Sequence, residues 1–184
     1  MSARILIALG ANQPGRFGEP IQSMRQAIGL LASAGLVLRR SSEVYMSRPV
    51  GPGCQSDYLN AVAEFETTRA LFDVLRILKQ TERAAGRSML RGRWRPRPLD
   101  LDLLSAGRRR IGPPRSVRRR PPLQLPHPEM LQRAFVLLPM ADVAPHWRHP
   151  VAGLTPNDAL LRLSLSQRKA VKRTGLRFAA CTGR

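Results

Sequence analysis

Arg93-Trp94-Arg95-Pro96-Arg97-Pro98-Leu99-Asp100-Leu101-Asp102-Leu103-Leu104 changes character halfway along. From Leu99 onward it alternates, which predicts an extended strand with Leu99, Leu101 and Leu103 on one face and Asp100 and Asp102 on the other. Two strand steps of about 3.3 Å put the carboxylates roughly 6–7 Å apart with their side chains parallel. Like charges at that separation raise each other's pKa unless a cation or a set of arginines neutralises them. The chain supplies arginines at 91, 93, 95 and 97. Taken alone, the Asp-x-Asp pair is compatible with an amphipathic edge strand carrying two solvated aspartates. The preceding Trp-x-Pro-Arg points further. Arg97, with its approach stiffened by Pro96 and Pro98, can hold a phosphate through forked hydrogen bonds. The aspartates can hold magnesium against the same phosphate.

Working outward, residues 4–9 read as a buried strand that ends at Gly10-Ala11-Asn12 and a Pro14-Gly15 turn. Apolar residues at helical spacing over 20–34 predict a helix, with Pro20 in its first turn and Gly35 as its stop. Residues 36–47 read as a second strand, followed by the loop Arg48-Pro49-Val50-Gly51-Pro52-Gly53 and a third strand opening at Asp57-Tyr58-Leu59-Asn60. Thr67 and Thr68 are candidate N-caps for a helix reaching about Ala85, and Gly86 supplies a left-handed exit. The stretch 88–92 has little to contribute to a core and reads as a loop that orders around a ligand. Beyond the Asp-x-Asp strand, about residues 106–122 form a basic loop insertion. A helix is expected near 157–165, and 166–184 read as a frayed basic tail outside a single domain of 1–165.

Length bounds the reading to one domain with a sizeable core. No apolar run approaches a membrane span. Cys54 and Cys181 form no metal or redox spacing, which suits a reduced, cytoplasmic setting. The net charge is +19, and only three of the 31 basic residues are lysines. Twelve arginines lie between positions 87 and 120. Such a field attracts polyanions, whether nucleotide triphosphates or nucleic acid. Aromatic residues make up only 5% of the chain, with no base-stacking motif or recognition-helix pattern, which argues against nucleic acid as the main partner.

The Trp94-to-Asp102 stretch resembles the signature of the 6-hydroxymethyl-7,8-dihydropterin pyrophosphokinase family, whose usual form is Trp-Gly-Pro-Arg-x-Leu-Asp-Leu-Asp. Arg95 stands here in place of the glycine. Gly-Ala-Asn at 10–12, Glu82 with Gly86-Arg87, and Pro126-His127 followed by Arg133-x-Phe135 match the family in order over about residues 4–150. Met89 stands where a further family arginine is common, and these two departures leave a relative that keeps the fold but has lost turnover as an alternative, beside a basic nucleic-acid-binding protein. The resemblance implies transfer of a pyrophosphoryl group from ATP to the pterin's hydroxymethyl oxygen by in-line attack at the β-phosphorus, releasing AMP. It implies Asp100 and Asp102 as ligands of two Mg2+ ions, with Arg87 and Arg97 stabilising charge on the transferring group. ATP contacts are implied at Lys79, Glu82, Arg93, Trp94, Leu103, His127 and Arg133. Pterin contacts are implied at Ser47, Val50, Tyr58, Asn60 and Phe135, with Asn60 reading the pterin edge and the two rings forming a sandwich. The implied fold is α+β, a ferredoxin-like sandwich with a mainly antiparallel sheet. The implied partners are these two small molecules, and the chain is expected to be a monomer.

Overall fold

Ile5, Ile7 and Leu9 make one face of β1 (Ala3–Ala11) wholly apolar and buried, and the sheet is built outward from it. The computed structural model describes residues 2–49, 55–87, 96–112 and 123–178. On one side β1 pairs antiparallel with β5 (Asp100–Ala106). On the other it pairs antiparallel with β4 (Tyr58–Thr67), which carries both β2 (Val37–Ser41) and β3 (Glu43–Ser47). A sixth strand, β6 (Val171–Arg177), closes the order β5-β1-β4-β3-β6. The first four of these have the topology of a split β-α-β sheet, as expected.

The expected single strand over 36–47 is broken at Ser42. Its N–H donates to the Val62 carbonyl at 2.9 Å, and its hydroxyl accepts from the Val62 N–H at 3.0 Å. One residue thus takes both backbone groups of Val62 and splits β2 from β3.

Helices α1 (Pro20–Ser33) and α2 (Leu71–Ala84) cover one face. They bury Met24, Ile28, Leu31, Val74 and Leu78 against Ile5, Ile7, Phe65 and Leu101. Each such side chain contributes about 1.5–3 kcal/mol by leaving water. Gly35 and Gly86 have φ of +86° and +98° and end the two helices, with Arg87 N–H returning to the Glu82 carbonyl at 3.0 Å. Neither Thr67 nor Thr68 caps α2, whose N-cap is Ala70. The Thr67 hydroxyl instead donates to the Gly35 carbonyl and accepts from the Arg69 N–H, tying the end of β4 to the end of α1.

The opposite face carries α3 (Ala134–Val143), which packs Val136, Met140 and Val143 on Leu6, Val62 and Leu104. α4 (Pro156–Leu161) lies on α3 through Ala159 and Leu160. The helix expected near 157–165 is therefore two, α4 and α5 (Leu165–Lys169), each started by its own capping box.

The frayed tail is a further correction. β6 pairs with β3 in the register Ser47↔Val171, Met46↔Lys172 and Tyr45↔Arg173. Phe178 just beyond it is 7% exposed, in the main core. Arg173 bonds Glu43 and Asp142, and the Thr174 hydroxyl reaches the Val44 carbonyl at 2.8 Å. The basic loop leaves β5 at Ala106 and returns through a two-bond bridge between Ile111 and Leu125. Residues 113–122 lie outside the described residues, as does the expected ordering loop at 88–92.

Candidate active site

Strand register places Tyr45, Asn60, Gly10 and Asp100 in one row across β3, β4, β1 and β5. Directly opposed residues share a face, and here it is the face bearing α3. At about 4.8 Å per strand, Asn60 and Asp100 stand roughly 10 Å apart with only Gly10 between them. A Cβ on Gly10 would sit 3.9 Å from both Asn60 Oδ1 and Asp100 Cβ, so the glycine keeps the floor of the row low. A cavity of about 360 Å³ lies over it, large enough for a small heterocycle. Ser47, Tyr58 and Asn60 line it over β3 and β4, and Asp100 and Asp102 line it over β5. Arg133 and Phe135 line it from the start of α3.

At the β5 end the arginines are already engaged. Arg87 bonds Asp100 Oδ1 and Glu82 Oε1, and Arg97 bonds Asp100 Oδ2. The Schellman turn at Gly86 directs the chain so that Arg87 meets β5. Asn12 sets Arg97: Asn12 Oδ1 accepts from the Arg97 N–H at 2.7 Å, and the Asn12 N–H donates to the Arg97 carbonyl at 3.0 Å. The same Asn12 amide donates to the Ser56 carbonyl at 3.2 Å, so one buried side chain joins both ends of the cavity. Gly15 allows the loop to pass this close, since a Cβ there would lie 2.4 Å from the Ala85 carbonyl oxygen.

Burial pushes the Asp100 carboxyl up, but the Arg87 and Arg97 guanidiniums outweigh it and hold it below the usual carboxylate range. Burial raises Glu82, with Lys79 and Arg87 opposing the shift. Asp102 is more open. Its carboxylate oxygens lie 4.0 Å from Lys79 Nζ and 3.9 Å from His127 Nε2. His127 Nδ1 accepts the Glu129 N–H at 3.2 Å, which leaves the neutral imidazole's proton on Nε2, facing Asp102. Burial lowers the His127 pKa against the pull of Asp102.

At the other end, the Asn60 amide nitrogen donates to Ser47 Oγ at 3.0 Å and to the Tyr58 carbonyl at 3.2 Å, which turns Oδ1 to the remaining side as an acceptor with no donor to it among the described residues. Burial raises the Tyr58 hydroxyl pKa. The Arg133 guanidinium lies 5.7 Å from the Phe135 ring centroid and is paired with Glu129.

The structure thus brings Ser47, Tyr58, Asn60, Arg97, Asp100, Asp102, Arg133 and Phe135 to one cavity. Lys79, Glu82, Arg87 and His127 stand behind it rather than in its lining. Glu82, expected to meet a nucleotide, is 2% exposed, and its Oε1 already takes the Leu101 N–H, Lys79 and Arg87. The Leu103 side chain is in the core, which leaves only its backbone for a ligand. Val50, Arg93 and Trp94 lie outside the described residues, as do the departures at Met89 and Arg95. The sequence reading missed Gln55, Glu129 and Gln167 in the lining. In the sequence Asn12 is marked only by the Gly-Ala-Asn turn and its family match, neither of which assigns it a contact.

Two aspartates offer hard oxygen donors on adjacent positions of one face, which fits Mg2+. Among the described residues no group of three or more His, Cys, Asp or Glu side chains could hold a metal. A Mg2+ ion held there would take its remaining ligands from phosphate and water, the usual arrangement for that ion.

The paired carboxylates Asp100 and Asp102 thus stand with convergent arginines in a cavity that Tyr58 and Phe135 also line, on an antiparallel α+β sheet. The family 7,8-dihydro-6-hydroxymethylpterin-pyrophosphokinase (HPPK) matches residues 6–145, and the chain belongs to it. A 2-amino-4-hydroxy-6-hydroxymethyldihydropteridine pyrophosphokinase from Pseudomonas aeruginosa is 40% identical over 152 residues, covering 82% of this chain and 86% of that one. The Synechocystis enzyme of the same name is 37% identical over 151 residues, covering 82% and 71%. Among solved structures, wild-type Plasmodium falciparum HPPK-DHPS matches the fold with a TM-score of 0.66 at 13% identity. That match covers 86% of this chain and 44% of the longer Plasmodium chain. The activity of the family, ATP-dependent pyrophosphoryl transfer to 6-hydroxymethyl-7,8-dihydropterin in folate biosynthesis, is the activity of this chain.

Proposed function

We propose that the two ends of the cavity divide the two substrates, with pterin over β3 and β4 and the ATP phosphates over β5. The row Asn60–Gly10–Asp100 carries this reading, because it sets a heterocycle-reading amide and a phosphate-facing carboxylate one small molecule apart on a common floor. Asn60 Oδ1 accepts from the pterin's amino edge while Ser47 and the Tyr58 carbonyl hold the amide in that orientation. Tyr58 and Phe135 supply ring faces on either side of the heterocycle.

Asp100 and Asp102 would hold two Mg2+ ions, which neutralise phosphate charge and align the attacking and leaving oxygens when bound. Arg87 and Arg97 exchange Asp100 for phosphate oxygens and stabilise charge on the transferring group. Arg133 makes the same exchange from Glu129. Lys79 and His127 flank Asp102 and meet the nucleotide from behind it, with the Leu103 backbone on that side, and the ATP contacts expected of Arg93 and Trp94 fall outside the described residues. Glu82 acts from beneath as a positioning residue for Arg87 and β5. None of these groups is needed as a general base, because positioning and electrostatics carry most of a phosphoryl transfer. No described helix is long and apolar enough to cross a membrane. We place the enzyme in the cytoplasm.

Calorimetry tests the division. Asn60→Ala weakens pterin binding by about 1–3 kcal/mol and leaves Mg-ATP binding alone. Asp102→Asn cuts turnover by at least roughly 100-fold while pterin still binds. The reverse pattern, ATP lost in Asn60→Ala and pterin lost in Asp102→Asn, would mean the ends are exchanged.

A further inference from the structure

The family match ends at residue 145, yet the cavity lining includes Gln167. This residue sits in α5, four positions before Val171, where β6 begins and pairs with Ser47. Ser47 in turn accepts the Asn60 amide. The C-terminal segment therefore stands at the end of the cavity farthest from Asp100. The strand order puts β6 four places from β5, roughly 19 Å across the sheet.

The Gln167 side chain is half engaged. Its Oε1 accepts the Ser164 N–H at 3.0 Å and the Ser164 hydroxyl at 3.1 Å, completing the capping box of α5. That bond fixes the amide and leaves its N–H2 group as the part available to a ligand. The floor thus presents an acceptor, Asn60 Oδ1, and the rim presents a donor, Gln167 Nε2. A pterin needs both, since its amide carbonyl accepts where its amino group donates.

We infer that Gln167 is a specificity-determining residue that donates a hydrogen bond to an acceptor on the pterin ring, so that the C-terminal segment outside the family match completes the pterin site. The inference rests on the assignment of this end of the cavity to the pterin. It makes the contribution of Gln167 selective for one substrate, because the phosphates bind over β5.

The test separates the ligand contact from the cap. Glutamate caps a helix as glutamine does, so Gln167→Glu keeps the acceptor for Ser164 and replaces the donor by a charged acceptor, while Gln167→Ala removes the donor without adding charge. Pterin affinity is measured with magnesium and α,β-methylene-ATP present, beside melting temperature and steady-state kinetics, for Gln167→Glu, Gln167→Ala and Asn60→Ala. The expected result for Gln167→Glu is an unchanged melting temperature and nucleotide affinity. Its pterin dissociation constant and KM rise by about fivefold or more, with kcat held. Gln167→Ala shows the same rise in pterin KM. If Asn60→Ala weakens pterin and Gln167→Glu does not, the inference is overturned while the pocket assignment stands. If both Gln167 variants lower stability and weaken both substrates alike, Gln167 is only a cap and the inference is again overturned. If Asn60→Ala itself leaves pterin binding unchanged, the assignment of the pocket falls, and this inference with it.

Discussion

Asp100 shows how far a strand-spacing argument reaches and where a neighbour reverses it. Spacing alone has Asp100 and Asp102 repelling one another, so that removing either would relieve strain. Arg87 and Arg97 change the sign, because each oxygen of Asp100 already carries a guanidinium. The carboxyl is held below its ordinary value of 3.8 in the folded chain. Its stabilising contribution is therefore fully present above that value and is lost as pH falls through the lower folded one. Asp100→Asn should cost about 1–3 kcal/mol of stability at pH 7, given that the cluster is partly solvated. The gap between variant and wild type should narrow below about pH 4, where the unfolded chain's carboxyl takes up a proton that the folded one still resists. Urea unfolding at pH 7 and pH 3 measures both. A gap of the same size at pH 3 would mean that something other than the ion pairs sets the cost.

At the scale of elements, β5 is an edge strand that the rest of the chain protects. The Leu101 N–H points off the sheet and is taken by Glu82 Oε1 at 2.7 Å, while the Leu101 carbonyl accepts Lys79 Nζ at 3.1 Å. α2 thereby covers an edge that would otherwise be open to pairing. Glu82→Gln leaves an acceptor for Leu101 but removes the buried one of the two counter-charges of Lys79 and Arg87, which keep Asp102 and Asp100. We expect a loss of about 2 kcal/mol, which for a chain of this size lowers Tm by roughly 4–8 °C. Scanning calorimetry reads it, and an unshifted Tm would show the glutamate to be dispensable to the edge.

The elements that could be read from the sequence were those whose local signal agrees with their packing. β1, α1, α2 and β5 alternate or repeat at the right period, and Gly35 and Gly86 sit at positive φ as their places after helices predict. α3 escaped because it is apolar nearly all round and holds Pro139, since it is covered by the sheet on one side and α4 on the other. β6 escaped because Lys172, Arg173, Gly175 and Arg177 are poor strand formers in isolation. Glu43, Asp142 and the Val44 carbonyl recruit it from outside its own sequence. The site divided in the same way. Motif residues such as Asp100 and Asn60 were visible, but the reach of Asn12 to both ends and of Gln167 into the cavity depends on contacts 44 and more than 100 residues apart.

At the scale of the whole molecule, the excess charge and the basic loop raise one question: whether the loop belongs to the site. Its ends are held independently of it. Ile111 and Leu125 exchange both backbone hydrogen bonds, at 2.9 and 2.7 Å, and Leu123 and Leu125 are buried in the main core. Residues 113–122 can therefore be exchanged for a short glycine-serine turn without moving the strands that carry Asp102 or the segment that carries His127. Halving such a loop changes closure entropy by only about 0.6 kcal/mol, in the favourable direction, so stability should hold. The exchange removes Arg115, Arg118, Arg119 and Arg120. Nonspecific polyanion binding should weaken and lose part of its salt dependence, because each lost phosphate contact takes about one unit from the slope. Turnover and the KM for both substrates should stay within a few-fold, since every residue assigned a role above lies outside the exchanged segment. Steady-state kinetics at low and moderate salt decide the matter. A tenfold or larger rise in the KM for ATP at both salts, with pterin binding intact, would put these arginines in the nucleotide site.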